Sequence, residues 1–298
     1  MSAEWAPALE RVAVARLTLV IGDTDTGKTT LVTWLANALS AGGESVGIVD
    51  ADLGQSEIGP PTTIGAGRVA RPVARLAEAE MVALHFVGST SPLGHFSATV
   101  QGTRTMVDRA RSAGVRRVFV DTCGLVAGDW GRALKQAKIR LLDPDLIVCL
   151  QRDGECEHIL RACDAERGPG VLRLAVSRAG RRRTPEERRR HRERAFGAYF
   201  AAARPVTLDR SRVALRSPSP VAGADPTDAT SLSADFEGVL VGLEDAAGET
   251  IGLGVIQGVD GDASGLTIDT PVVARDIAAV VVGHERYARS PAVAPYIP

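Results

Sequence analysis

Gly22-Asp23-Thr24-Asp25-Thr26-Gly27-Lys28-Thr29 fits the pattern G-x-x-x-x-G-K-[ST] of phosphate-binding loops. Short patterns recur by chance, so the flanks decide what this one means. Before it, Val12 to Ile21 form an apolar run rich in β-branched residues, which predicts a buried strand. After it, Leu31, Trp34, Leu35, Ala38 and Leu39 recur at helical spacing, which predicts a helix from about Lys28. Strand, glycine loop and helix in that order let successive backbone N–H groups converge on phosphate oxygens. Gly22 and Gly27 remove the Cβ atoms that would block this approach, and the helix N-terminus adds partial positive charge. Lys28 then reaches the β- and γ-phosphates, and the Thr29 hydroxyl is placed to ligate Mg²⁺. A glycine turn carrying a surface lysine is the bland alternative, which the flanks disfavour. The expectation is a nucleoside triphosphate site formed by Asp23, Thr24, Asp25, Thr26, Gly27, Lys28, Thr29 and Thr30.

Composition bounds the rest. A chain of 298 residues, 45% of them hydrophobic, is enough for one large domain with a sizeable core and a smaller companion. Its net charge of −1 gives no global attraction to nucleic acid, so any such binding must come from a local patch. The four cysteines (Cys123, Cys149, Cys156 and Cys163) form no C-x-x-C pair, which favours reduced thiols over a disulfide frame or zinc site. With no signal pattern and only a short first apolar run, broken by Arg16, the expectation is a cytoplasmic protein without a membrane span.

Strand-like runs recur at 45–50, 82–87, 115–121, 145–150 and 171–176, and segments of helical length lie at 99–112 and 130–142. Such alternation predicts an α/β fold of the P-loop NTPase kind, with a mostly parallel sheet flanked by helices. Ligands of these sheets sit at the carboxyl ends of the strands, and three informative stretches follow strands directly. In the first, Asp50 and Asp52 leave a strand ahead of Gly54 and Gln55. Buried carboxylates are costly without partners, so a metal ion, a lysine or a substrate hydroxyl is expected nearby, with an ordinary Asp-rich turn as an equal alternative. The second, Gly88 to His95, offers the hydroxyls of Ser89 and Thr90 to phosphate or ribose oxygens, although an ordinary turn explains it equally well; His95 reads as structural. The third, Asp121-Thr122-Cys123-Gly124, ends an apolar strand with the carboxylate of a Walker-B arrangement. Thr29, Asp52 and Asp121 are therefore the expected metal-site residues. D-T-x-G also occurs in GTPases, but Leu150-Gln151-Arg152-Asp153 lacks their guanine motif, so guanine specificity has no support.

From Arg178 to Arg194 nine arginines face three glutamates. Thr184-Pro185-Glu186-Glu187 is a capping box with proline at the first helical position, which starts a helix. Arg188 and Arg192 share a face of it, and Arg183 stands just before the cap. A solvated face explains some of these charges, but guanidinium groups four apart repel one another. A ligand with several phosphates relieves that repulsion, so residues of about 178–200 are expected to form a lid that closes on transferring phosphates. Ser217 to Asp235 reads as a linker or long loop. The runs at 238–243, 250–257, 265–269 and 277–282 predict a small β-rich domain over 207–298, after a P-loop domain over 1–206.

Together these stretches resemble the polynucleotide 5′-hydroxyl kinase family, which includes the kinase subunit of the mRNA 3′-end cleavage machinery, the rRNA-processing kinase and archaeal RNA kinases. The matching pieces are residues 22–30, 50–61, 88–92 and 121–124, then Arg183, Arg188 and Arg192 ahead of Tyr199-Phe200. They occur in the family's order, and the combination is far more specific than any one motif. The resemblance implies transfer of the γ-phosphate of ATP, or another NTP, to the 5′-hydroxyl of RNA or DNA with Mg²⁺. It casts Asp52 as the carboxylate facing that hydroxyl, with Lys28, Arg188 and Arg192 as the other catalytic groups. Gln55, Ser89, Thr90, Thr122, Gly124 and Arg183 fall on the acceptor side. One departure stands out: eukaryotic members carry a tryptophan that clasps nucleic acid where this chain has Leu125, with Trp130 nearby as a substitute. The alternative reading is a regulatory, GTPase-like switch acting through a protein partner, and a third is a non-catalytic scaffold. Lys28, Asp52 and the lid arginines favour the kinase. Protein partners and oligomeric state are not legible in the sequence.

Overall fold

A computed structural model of the chain describes residues 2–163, 168–177, 181–216, 236–259 and 265–287. The expected linker at 217–235 lies outside them, as does the start of the lid at 178–180. The chain divides into two compact units, Met1–Arg192 and Glu193–Pro298.

The first unit is built on β1 (Leu17–Gly22), whose six residues are all buried. It pairs in parallel with β5 (Arg117–Thr122) on one side and β6 (Leu146–Gln151) on the other. Outward from β5 lies β2 (Val46–Ala51), and outward from β6 lies β7 (Gly170–Ala175), both parallel to their neighbours. Beyond β2, β3 (Thr63–Val69) and β4 (Glu80–Phe86) continue the sheet by antiparallel pairing, giving the order β7-β6-β1-β5-β2-β3-β4. The sheet is thus mostly parallel, as expected, with an antiparallel extension at one end.

Strand alternation sends successive side chains to opposite faces, and each face meets helices. Val20, Ile48 and Phe119 pack with Trp5, Ala8 and Val12 of α1 (Ser2–Val12) and with Leu31 and Leu35 of α2 (Lys28–Ala41). Leu19, Ile21 and Val120 pack on the other face with Met106 and Val107 of α3 (Phe96–Ser112) and Ile139 and Leu142 of α4 (Gly128–Leu142). Burying a strand on both faces accounts for the near-continuous apolar runs that marked it in the sequence.

Two elements differ from expectation. The apolar run from Val12 is not all strand: Val12 closes α1, and β1 begins only at Leu17, where Asp145 Oδ2 accepts the N–H groups of Arg16 and Leu17, each at 2.8 Å. Trp5, Ala8 and Val12 recur at helical spacing and bury one face of α1, which overrides the strand preference of the valine. The second is β3, whose composition Thr-Ile-Gly-Ala-Gly-Arg-Val carries little strand propensity. A Cβ at Gly65 would lie 2.0 Å from the carbonyl oxygen of Ile58, so the glycine answers to the loop folded over the strand.

The second unit holds β8 (Arg204–Asp209), β9 (Ala214–Arg216), β10 (Val239–Glu244), β11 (Thr250–Val259), β12 (Gly265–Thr270) and β13 (Ala279–Arg286). Their order is β8-β12-β11-β10-β13-β9, antiparallel except for β13 with β9. Leu208, Val241, Leu243, Ile256, Leu266 and Val280 form its core. Tyr199 accepts the Leu253 N–H on its phenolic oxygen at 2.7 Å, and the rings of Phe200 and Tyr287 stack 5.2 Å apart. No helix among the described residues is long and apolar enough to cross a membrane.

Candidate active site

The glycine loop joins β1 to α2, with Gly27 as the helix N-cap. Thr26 Oγ1 and Lys28 Nζ both donate to the Asp23 carbonyl, at 2.9 and 2.8 Å, and the Asp23 carboxylate accepts the Thr24 N–H at 2.7 Å. Lys28 is buried, so the loop folds around its own ammonium group. Thr29 Oγ1 donates to Asp121 Oδ2 at 2.6 Å, while Thr30, one residue on, is exposed. The first turn of α2 is thereby fastened to the end of β5.

Gly124 lies against the same loop. A Cβ there would fall 2.3 to 2.6 Å from Thr24 atoms, backbone included, so only glycine permits this approach. Thr122 is fully buried, its hydroxyl donating to the Val20 carbonyl (2.8 Å) and accepting from Lys135 Nζ (2.8 Å). Its side chain therefore ties β5 to β1 from inside the sheet and is not on the cleft surface. Leu125 is taken into a small apolar cluster with Phe96, Val100, Cys123 and Leu134, whereas Trp130 is 65% exposed in the first turn of α4.

Three carboxylates gather at the ends of β2 and β5, where Asp50 pairs in register with Asp121. Asp50 accepts the N–H groups of Asp52, Glu57 and Ile58 and the Ser56 hydroxyl, and so shapes the loop that follows β2. Burial, with Asp121 as the next contributor, pushes its pKa up to about 8. Burial also raises Asp121, to about 6, against the pull of Lys28 and Thr29 and with Asp52 among the groups pushing it up. Asp121 Oδ1 is buried with no hydrogen-bond partner among the described residues. Asp52 is half-buried; its Oδ1 accepts the N–H groups of Gly54 and Gln55, at 3.1 and 3.0 Å, which fixes the carboxyl while leaving Oδ2 open. Ser89, in the loop after β4, is buried and accepts the Ser91 N–H, and the carbonyl of half-buried Thr90 packs on Gly54.

The lid helix α5 (Pro185–Tyr199) begins with both halves of the capping box made: Thr184 N–H to Glu187 at 2.8 Å and Glu187 N–H to Thr184 Oγ1 at 3.1 Å. Its charges sort into two groups. Arg181 pairs with Glu187, and Arg189 and Arg190 pair with Glu186, on the outer side. Arg182 lies 3.9 Å from the Asp23 carboxylate, and Arg183 and Arg188 also reach the phosphate loop: Asp25 Oδ2 accepts the Arg183 N–H at 2.8 Å and Arg188 Nη1 at 3.1 Å. The same two residues touch Gln55, whose Oε1 accepts Arg183 Nη1 and whose Nε2 donates to the Arg188 carbonyl, both at 3.3 Å. Arg192, one turn on, is half-buried and makes none of these contacts.

Two participants were not picked out from the sequence. Arg152, just past β6, donates from Nη2 to the Asp25 carbonyl at 3.0 Å and lies 4.0 Å from the Asp23 carboxylate. Its signal is its place just past the strand beside β1, in the stretch Leu150-Gln151-Arg152-Asp153. Lys135 is fully buried on α4, donating to Thr122 Oγ1 and to the Cys123 carbonyl at 2.5 Å. Lys135, Lys138, Ile139 and Leu142 recur at i, i+3, i+4 and i+7, so lysines standing at core positions were the available clue.

Residues 22–202 match the family described as the mRNA cleavage and polyadenylation factor CLP1 P-loop. A polyribonucleotide 5′-hydroxyl-kinase of Thermococcus kodakarensis is 32% identical over 88% of this chain and 84% of its own length. One from Pyrococcus furiosus is 35% identical over 70% of this chain; there the match spans only 57% of the relative. The Xenopus tropicalis polyribonucleotide 5′-hydroxyl-kinase Clp1 is 29% identical over 62% of this chain and 44% of its own. In fold, the chain is similar to Clp1p as solved in a complex with Pcf11p, with a TM-score of 0.71, 16% identity, and coverage of 97% of this chain and 79% of that one. With more than half its length matched, the chain belongs to the CLP1 P-loop family.

Proposed function

We propose that this protein transfers the γ-phosphoryl group of ATP, or of another nucleoside triphosphate, to the 5′-hydroxyl end of RNA or DNA. One observation carries the reading: Arg183 and Arg188 touch both Asp25 of the phosphate loop and Gln55, three residues from Asp52. Donor loop, lid and the carboxylate-bearing loop thus surround one space. The names of the archaeal and Xenopus relatives support the same activity.

Phosphoryl transfer passes through a loose transition state in which positioning and charge stabilisation do most of the catalysis. Lys28 and the backbone N–H groups of the loop hold the triphosphate, and the lid guanidinium groups cover the migrating phosphoryl. Asp52 accepts a hydrogen bond from the acceptor hydroxyl on its open oxygen and takes the proton late. The new bond joins the 5′-oxygen to the γ-phosphorus; the bond to the β–γ bridging oxygen breaks, and the nucleoside diphosphate leaves with that oxygen's electron pair. The residues also fit Mg²⁺: Thr29 offers a hydroxyl lone pair, and Asp121 stands behind it with Oδ1 unpartnered. When bound, the ion would neutralise charge on the β- and γ-phosphates. The four cysteines are buried and form no disulfide among the described residues, which fits a reducing cytoplasm.

The test is to incubate the protein with γ-labelled ATP, Mg²⁺ and a 5′-hydroxyl oligonucleotide. Label on the oligonucleotide supports the kinase. Label released only as inorganic phosphate would favour the nucleotide-hydrolysing switch, and no turnover would favour a scaffold.

A further inference from the structure

A carboxylate is an unexpected occupant of a loop that gathers polyanions, because it repels the phosphates the loop collects. Asp25 is held there at φ 57°, in the left-handed region that non-glycine residues seldom enter. That backbone presents its carbonyl to Arg152 and its carboxylate, only 13% exposed, to the lid. Oδ2 accepts both the Arg183 N–H and Arg188 Nη1, and the Arg183 guanidinium adds a contact at 3.9 Å.

The way Arg188 is gripped matters. Its Nη1 donates to Asp25 and, at 2.7 Å, to the Arg183 carbonyl, so both hydrogens of that nitrogen are used. Nε and Nη2 make no hydrogen bond among the described residues. They form one of the two edges by which a guanidinium grips a phosphate through paired N–H bonds. Asp25 therefore holds the far side of the fork and leaves a phosphate-binding edge open.

We propose that Asp25 is a positioning residue for the lid: its carboxylate docks Arg183 and Arg188 over the phosphate loop before the nucleotide arrives, with the free edge of Arg188 reserved for the transferring phosphoryl group. The proposal rests on the phosphoryl-transfer reading of this site. Prepaying the placement of Arg188 lowers the cost of closing the lid at the moment charge must be stabilised. An autoinhibitory lock, with Asp25 competing against phosphate for the same arginines, predicts the opposite effect on rate.

Asp25→Gly deletes the carboxylate at no steric cost to the positive φ, and Asp25→Asn keeps the shape while removing the charge. In transfer to a 5′-hydroxyl oligonucleotide, Asp25→Gly should lower kcat by about tenfold or more while changing the nucleotide KM by less than about threefold. Asp25→Asn should fall between it and wild type. Added to Arg188→Ala, Asp25→Gly should cause little further loss, because both act through one guanidinium. A kcat equal to or above wild type in both Asp25 variants, or fully additive losses in the double variant, would overturn the proposal. Trypsin supplies a readout that needs no acceptor: in nucleotide-free protein the lid of Asp25→Gly should be cut faster than that of wild type, and equal rates count against docking. If wild type labels no oligonucleotide, the kinase reading fails, and the trypsin comparison still decides whether Asp25 docks the lid.

Discussion

Asp50, Asp52 and Asp121 are chemically identical side chains with three different employments, and their hydrogen bonds separate them. Asp50 is consumed by the loop after β2, Asp121 is bound to Thr29 with one oxygen free, and Asp52 is oriented by two amides with one oxygen open. Asp50 offers a direct check on this division. Its pKa in the fold, about 8, lies above the 3.8 of an ordinary aspartate. Its contribution to stability is therefore full below about pH 4 and is lost as pH rises through 8. Asp50→Asn keeps one acceptor oxygen where Asp50 uses two, so at acid pH it should unfold at lower temperature than wild type, by roughly 1–3 kcal/mol of stability. The gap should narrow toward pH 8, because only wild type must ionise a buried carboxyl; thermal melts across that range showing a widening gap would contradict the assignment. From the residue pattern alone Asp50 and Asp52 are legible only as a pair, and it is the family resemblance that singles out Asp52; the physical division rests on which of them the backbone of residues 54–58 turns toward.

At the scale of elements, α4 carries the feature least expected of a core helix. Lys135 and Lys138 are both fully buried, and Lys138 Nζ has no hydrogen-bond partner among the described residues. Burial, with the Lys135 charge adding to it, lowers Lys138 to about 8. An unpaired buried charge carries a desolvation penalty of several kcal/mol, which an apolar side chain of similar length does not. Lys138→Met should accordingly raise Tm at pH 7. The depressed pKa means that wild type regains stability as pH climbs from about 8 toward 10.5, so the advantage of the variant should shrink over that interval. A Tm that falls at pH 7 would show that the ammonium group has a partner important to the fold. Element type was well marked wherever apolar periodicity was strong, as in β5, β6, α3 and α4. It was misread at the start of the chain, where one valine belongs to a helix face, and it was silent at β3, where glycine serves the overlying loop. The capping box located the lid helix because both of its halves lie within four residues.

For the molecule as a whole, a net charge of −1 leaves the proposed polyanion binding to a few local guanidinium groups, and Arg152, Arg183 and Arg188 meet at Asp25 of the glycine loop. Motifs contiguous in sequence were readable in advance, because strand, loop and helix sit side by side in the chain. The contacts of Arg152 and Arg188 with Asp25, which span 127 and 163 residues, depend on the order in which strands enter the sheet, and no local pattern encodes them. Central to the proposed mechanism is the carboxylate of Asp52 as the group that receives the acceptor's proton. The most direct test compares wild type with Asp52→Ala in two measurements on the same preparation: nucleotide affinity, and label transfer from γ-labelled ATP to a 5′-hydroxyl oligonucleotide. Affinity within about threefold of wild type together with a loss of transfer of about a hundredfold or more is the predicted result; transfer at the wild-type rate would remove Asp52 from the chemistry.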